Sequence, residues 1–138
     1  MEAQEVTSKR LKLELRLEQL KKIDYSKNNF LHFVKSMWPE FIAGAHHKII
    51  SNKLEDIASG KLKRLIVNMP PRHTKSEFAS YLFPAWMIGR KPTMKIIQAT
   101  HTTELAVSFG RKVKNLLERE EYKEVFPDAH LSADSKAS

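Results

Sequence analysis

A lysine and a serine at the start of a predicted helix are the residues with the clearest potential for chemistry. Lys75 and Ser76 end a loop that begins at Pro70, and an apolar run over residues 65–67 precedes that loop. A strand, a loop and a helix in this order form a site for nucleotide phosphates, because backbone amides and the positive helix end face the anion. In such sites the lysine contacts the outer phosphates and the hydroxyl binds Mg²⁺. The sequence therefore predicts a phosphate site around Lys75 and Ser76.

The loop departs from the standard G-x-x-x-x-G-K-[ST] pattern at both glycine positions, which hold Met69 and Thr74. Glycine next to the lysine lets the backbone approach an anion without steric cost. Thr74 is β-branched and tolerates a positive φ poorly. On the pattern alone, an ordinary strand, turn and helix with a surface lysine is an equal alternative.

Other loop residues have candidate roles beside the lysine. Arg72 could stabilise charge on a transferred phosphoryl group, or it could make a structural contact between loop and sheet. His73 is expected to shape the loop through hydrogen bonds, and Glu77 favours a helix N-terminus. The candidate nucleotide-binding residues are Pro71, Arg72, His73, Thr74, Lys75, Ser76, Glu77, His46 and His47.

His46 and His47 precede the loop, and neighbouring histidines can stack on or hydrogen-bond an adenine base. The alternative is a pair of histidines with no special role at the start of a helix. A metal site is unconvincing, because adjacent helical residues point apart and no further ligand lies at a suitable spacing.

The elements that must position these residues follow from hydrophobic periodicity. We predict helices over residues 5–23, 30–37, 45–59, 75–88 and 103–118, and strands over 64–68 and 95–99, with 121–138 loop-like. In the first helix Leu13, Leu17 and Leu20 share one face, which we expect to pack inward. From residue 64 onward strands alternate with helices, which predicts an α/β fold with a parallel sheet and flanking helices.

Composition limits the class of protein. The chain has 138 residues, with 24 Lys and Arg against 16 Asp and Glu, which gives a net charge of +8. This excess favours a polyanionic partner, either nucleic acid or an acidic membrane surface, and of the two we expect nucleic acid. The absence of cysteine excludes disulfides and cysteine-ligated zinc. No apolar run is long enough for a transmembrane helix, so we expect no segment that crosses a membrane. We also expect no membrane partner.

The loop also resembles the variant Walker A loop of tailed-phage terminase large subunits. The residues that carry the resemblance are Asn68-Met69-Pro70-Pro71-Arg72-His73-Thr74-Lys75-Ser76-Glu77. The similarity in order and spacing extends from about residue 30 to the end, including the stretches at 83–86, 95–100, 104–106, 109–111 and 131–135. Thr74 stands where the family usually has glycine.

The resemblance implies an ATP-driven motor that moves double-stranded DNA into a procapsid, with ATP and Mg²⁺ as cofactors. It implies a helical segment at 1–60 and the first part of a P-loop ATPase domain at 61–138. The implied partners are DNA, the terminase small subunit and the portal, in a homo-oligomeric motor in the cytoplasm of an infected bacterium. The acidic strand end and the nuclease carboxylates of the family do not appear. We therefore expect an N-terminal portion of a larger protein that hydrolyses no ATP by itself.

Two alternatives remain open at this point. One is a helicase-type ATPase, which would have a second motor domain after residue 138 in place of a nuclease. The other is a non-catalytic basic DNA-binding module whose loop does not bind ATP, and Thr74 is the residue that favours it.

Overall fold

The chain folds into a helical bundle in the computed structural model, which describes the backbone of residues 2–131 and the side chains of 4–131. The α-helices are α1 (Glu2–Asn28), α2 (Phe30–Met37), α3 (Ala45–Ala58), α4 (Phe83–Arg90), α5 (Thr103–Glu118) and α6 (Glu120–Val125). A π-helical turn, Glu77–Leu82, runs directly into α4. Within these described residues there is no β-strand.

The core of the bundle is aromatic and joins distant parts of the chain. The Phe30 ring lies 5.6 Å from that of Phe78 and 5.4 Å from that of Trp86, centroid to centroid. Phe33 packs in the same way on Tyr122, at 6.1 Å. Each of these side chains is at least 99% buried. Burying one large apolar side chain contributes about 1.5–3 kcal/mol, so this cluster is the main source of stability.

Buried hydrogen bonds fix how the helices meet. The Trp86 indole donates to the Ser26 carbonyl at the end of α1, at 3.0 Å. The Tyr122 hydroxyl of α6 donates to the Ala85 carbonyl of α4, at 2.7 Å. Burial raises the pKa of Tyr122, so this hydroxyl keeps its proton. These bonds satisfy polar groups that would otherwise be costly to bury.

The predicted α/β fold with a parallel sheet is wrong, because neither predicted strand forms. Residues 64–68 and 95–99 have irregular backbone, and no ladder of hydrogen bonds joins them in the described chain. Their apolar side chains do not make a buried layer: Ile66 is 86% exposed and Ile97 is 97% exposed. A pair of strands alone is marginally stable in water. The buried apolar side chains come instead mainly from helices α2 to α6 and from the π-helical turn.

The helix after the loop starts as predicted but tolerates Pro84 in an unexpected way. A proline inside a helix usually kinks or ends it, since it cannot donate to the carbonyl four residues earlier. The π-helical turn precedes it, and the amide of Phe83 donates to the carbonyl of Phe78, five residues back. The free carbonyl of Ser80 accepts instead from the side-chain amide of Gln98, at 3.1 Å. The helix therefore continues to Arg90.

Most predicted helices are confirmed, within a residue or two at several ends. The helix Phe30–Met37 has the predicted bounds and buries Phe30, Phe33, Val34 and Met37. The helix Thr103–Glu118 begins after Thr102, whose hydroxyl caps it by accepting from the Leu105 amide. The loop predicted from residue 121 is wrong over α6, and residues 132–138 of that prediction lie outside the described chain.

The first helix is longer than predicted and does not pack as predicted. Leu13, Leu17 and Leu20 are each at least half exposed, and every described side chain from residue 4 to 22 faces solvent. Only the end of α1, around Ser26, enters the core. None of the described helices has the length and hydrophobicity needed to cross a membrane.

Candidate functional site

The loop between residues 69 and 76 has the backbone shape of an anion-binding turn. Arg72 and Thr74 both have positive φ angles, 64° and 60°. Lys75, directly after Thr74, is already helical. A change of this kind from left-handed to helical geometry turns successive backbone N–H groups toward a common concave side, where they can bind an anion. This geometry is uncommon for non-glycine residues, and for β-branched Thr74 it is an outlier.

The helix that follows leaves its first amides free of helical hydrogen bonds. The first helical bond runs from the Phe78 amide to the Thr74 carbonyl, at 3.0 Å. The amides of Lys75, Ser76 and Glu77 come before it and have no partner within the helix. They lie at the positive end of the helix dipole. A negatively charged group is the ligand that this helix start favours.

The charged and hydroxyl side chains at this point are accessible. Arg72, Lys75 and Ser76 are exposed, and none of the three has a hydrogen bond or ion pair with another described residue. The dipole disfavours a cation at a helix N-terminus unless an anion is present. Lys75 and Arg72 thus add two unpaired positive charges beside three free amides.

His47 connects α3 to this loop, although 27 residues separate it from Thr74. Its Nδ1 accepts from the Gly44 amide at 2.9 Å, so Nε2 carries the proton in the neutral ring. Nε2 therefore donates to the Thr74 hydroxyl at 2.7 Å, and that hydroxyl donates to the His73 carbonyl at 2.7 Å. From the sequence we suggested that His47 contacts an adenine base. In the structure both of its ring nitrogens already form hydrogen bonds within the protein.

The surroundings of His47 favour its neutral form. Its side chain is 94% buried, between Phe41 at 4.7 Å and Phe78 at 5.2 Å, centroid to centroid. Burial is the main reason that its pKa is lowered, and the nearby His46 and His73 lower the pKa further. Neutral His47 is also the form that the hydrogen bond from Gly44 requires.

Two further contacts hold the edges of the loop. The His73 ring donates from Nδ1 to the Pro71 carbonyl at 2.9 Å, which closes a tight turn around Arg72. Glu77, on the first turn after the loop, pairs with Lys112 of α5 at 2.9 Å. The pair is partly exposed, so it contributes little to stability. It orients the start of the helix against α5.

A shallow groove lies beside the loop, between α3 and the irregular segment that leads into it. Its lining residues are His46, Ile49, Ile50, Lys53, Leu65, Ile66, Val67, Asn68 and Met69. His46 is exposed, and its ring lies 3.8 Å from that of His47 and 6.0 Å from that of His73, centroid to centroid. The groove and the loop meet at Met69, so one elongated ligand could occupy both.

The structure brings together all nine residues proposed from the sequence, in one region formed by the start of α3 and the loop. What the sequence did not suggest is the link from Gly44 through His47 to Thr74. No local spacing marks it, because its members are far apart in the chain. Among the described residues no cluster of three histidine or carboxylate side chains could hold a metal by itself. A divalent cation here would need oxygen ligands from a bound phosphate, as Mg²⁺ commonly does.

Comparison with known proteins gives no relative: no family model, curated protein or solved structure matches this chain.

Proposed function

We propose that residues 69–76 bind the phosphates of ATP with Mg²⁺. One observation carries the proposal: three amides at the start of a helix are free, beside two unpaired cationic side chains and a backbone with two positive φ angles. Lys75 would contact the outer phosphates and Ser76 would provide a ligand to Mg²⁺. Arg72 would neutralise phosphate charge. The proposal depends on this loop and not on a sheet-based ATPase fold.

The nucleoside would lie in the groove beside the loop. Of the two histidines suggested for the base, His46 has no hydrogen bond to a described residue and lines the groove. The apolar side chains of Ile49 and Ile50 provide a surface for a base, and Lys53 also lines the groove. Aromatic and apolar walls with a few polar groups are typical of nucleotide sites.

The larger process in which ATP would be used is proposed from the resemblance to terminase large subunits. In that proposal the chain is part of an oligomeric DNA-packaging motor in the cytoplasm of an infected bacterium. Its partners would be double-stranded DNA, the small terminase subunit and the portal. The net charge of +8 supports a DNA partner. By itself the chain is expected to bind ATP without turnover.

The experiment that tests the proposal is titration calorimetry with Mg·ATP. The parent chain is compared with Lys75→Ala and with Lys91→Ala, a control in which an exposed lysine at the other end of the same helix is removed. A charged hydrogen bond contributes about 1.5–3 kcal/mol, so Lys75→Ala should weaken binding by about tenfold or more. Lys91→Ala should bind as the parent does. Equal weakening by both variants would mean diffuse electrostatic attraction instead of a site.

A second candidate function is a basic DNA-binding module without nucleotide chemistry. The observation in its favour is the net charge, together with the exposed lysines and arginines at residues 61, 63, 64, 91 and 95. Such a module would bind duplex DNA with an affinity that falls steeply with salt. Strong DNA binding without any Mg·ATP binding by the folded parent would favour this candidate. A helicase-type ATPase would instead prefer single-stranded DNA in the same assay.

A further inference from the structure

We propose that His47 is a positioning residue that holds the phosphate loop in its binding shape through the Thr74 hydroxyl. The inference rests on the proposed function for the identity of the ligand, because His47 would hold the loop in the conformation that binds phosphates. Its core statement, that His47 sets the backbone of Thr74, concerns this chain alone and can be tested without nucleotide.

The need for such a residue arises from Thr74 itself. A β-branched side chain at a φ of 60° is a rare conformation, and it persists only where the surroundings impose it. Thr74 occupies the position whose carbonyl accepts the first helical hydrogen bond, from Phe78. If Thr74 relaxed to a negative φ, this bond and the direction of the amides at Lys75 and Ser76 would both change.

The hydrogen bonds around His47 oppose that relaxation. They run in one direction, from the Gly44 amide to His47, from His47 to the Thr74 hydroxyl, and from that hydroxyl to the His73 carbonyl. Each donor has one acceptor, so the chain of bonds is complete without water. His47 is itself immobile, because α3 holds its backbone and Phe41 and Phe78 pack on its ring. A fixed donor thus holds a strained residue.

A proton on His47 would break this arrangement. A charged imidazole has hydrogens on both nitrogens, and Nδ1 could no longer accept from Gly44. The titratable groups that act on His47 are His46 on the same helix and His73 in the loop, both of which oppose its protonation. The residues that pack on it from other elements, Phe41 and Phe78, carry no charge. The loop should therefore keep its shape near pH 7.5 and lose it in acid, below the ordinary histidine pKa of about 6.5.

The test is a double-mutant cycle with His47→Phe and Thr74→Gly. Phenylalanine keeps an aromatic ring between Phe41 and Phe78 but has no donor. Glycine adopts a positive φ without steric cost, so it should no longer need His47. We expect His47→Phe to weaken Mg·ATP binding by about tenfold in the parent, which corresponds to 1.4 kcal/mol. In the Thr74→Gly chain we expect the same change to weaken binding by less than about twofold.

A conservative variant separates hydrogen bonding from packing. In His47→Gln the amide nitrogen can replace Nε2 as the donor to Thr74 and cannot be protonated near neutral pH. This variant should retain most of the affinity that His47→Phe loses at pH 7.5. It should also remove the part of the loss of Mg·ATP affinity between pH 7.5 and 5.5 that protonation of His47 causes in the parent. His101→Phe, at an exposed histidine outside the site, is the control.

The backbone chemical shifts of Thr74, measured without nucleotide, keep the inference separate from the proposed function. They should indicate a positive φ in the parent and in His47→Gln, and a change toward ordinary values in His47→Phe. If no chain binds Mg·ATP but the shifts follow this pattern, the proposed function fails and the role of His47 stands. Equal losses of affinity in both backgrounds of the cycle, or Thr74 shifts that ignore His47, would overturn the inference.

Discussion

Replacing a helical glycine with alanine should have different effects on stability at two positions in this protein, because only one of them is packed against the core. Gly89 in α4 and Gly110 in α5 both lie inside helices, where alanine is favoured over glycine by up to about 1 kcal/mol. A Cβ on Gly110 would meet no other atom within 4 Å. A Cβ on Gly89 would lie 2.3 Å from Cδ2 of Phe126. Only the second substitution therefore requires the structure to move.

The magnitude follows from where Phe126 lies. Ordinary contacts begin at 3.4 Å, so the ring would have to move by at least 3.4 − 2.3 = 1.1 Å. It is 96% buried and packs on Phe33 at 5.8 Å and on Tyr122 at 5.3 Å, so it cannot swing into solvent. Overpacking a core of this kind costs about 1–3 kcal/mol. The gain in helix propensity is similar at both sites, so the clash decides the difference between them.

Urea unfolding of the two variants is the assay. Gly110→Ala should raise the free energy of unfolding by about 0.5–1 kcal/mol. The free energy of unfolding of Gly89→Ala should be lower than that of Gly110→Ala by about 1–3 kcal/mol. The slope of the transition should stay the same, because neither change alters how much surface unfolding exposes. If Gly89→Ala stabilised the protein as much as Gly110→Ala, the contact between α4 and Phe126 would be wrong.

Three other predictions concern stability. Phe30→Ala should lower the free energy of unfolding by about 3–5 kcal/mol, because a fully buried ring at the centre of the core is lost, and calorimetric or urea unfolding will show it. Asn29→Ala should lower the free energy of unfolding by about 1 kcal/mol, and by more than Thr102→Ala does, in urea unfolding. The reason is that the hydrogen bond to the Asn29 side chain is 2.8 Å long and the one to the Thr102 hydroxyl is 3.3 Å long. The opposite order of the two variants would contradict this prediction. Burial is the largest cause that lowers the pKa values of His32 and His47 in the folded protein. The free energy of unfolding should therefore be highest above pH 6.5 and decrease as the pH falls through the folded pKa values of these histidines. Replacing both histidines with glutamine should make the urea midpoint less dependent on pH between pH 7.5 and 5.5.

The helices of this protein could be predicted from local sequence because their signals are local. Phe30, Phe33, Val34 and Met37 recur at helical spacing, and all four are buried. Thr102 precedes an amphipathic run and caps it. Short helix α6 was missed, although Glu120 and Glu121 are residues that suit a first helical turn.

Both predicted strands are wrong because a short apolar run does not determine whether a partner strand lies beside it. Residues 65–67 and 96–97 are β-branched or leucine, as strands often are, but strand formation depends on a neighbouring ladder of hydrogen bonds. The exposed leucines of α1 show the same limit. Their spacing fits a packed face, and only the rest of the fold decides whether another element covers it.

The residues of the candidate site could be proposed from the sequence, but the hydrogen bonds that join them could not. The loop and the start of its helix follow from the proline turn and from Lys75 and Ser76. The positive φ of Thr74 and its hydrogen bond from His47 depend on how α3 lies against the loop. Contacts over 27 residues have no signature in the local sequence.

The most direct test of the central claim, that the loop binds nucleotide phosphates, is the change in backbone amide NMR shifts on addition of Mg·ATP. Binding as proposed should shift the amides of residues 72–77 first, with smaller changes around His46 and Ile49 in the groove. The same titration of Lys75→Ala should lose the changes in the loop. Shifts that instead spread over the exposed basic residues of α1, with residues 72–77 unmoved, would contradict the claim.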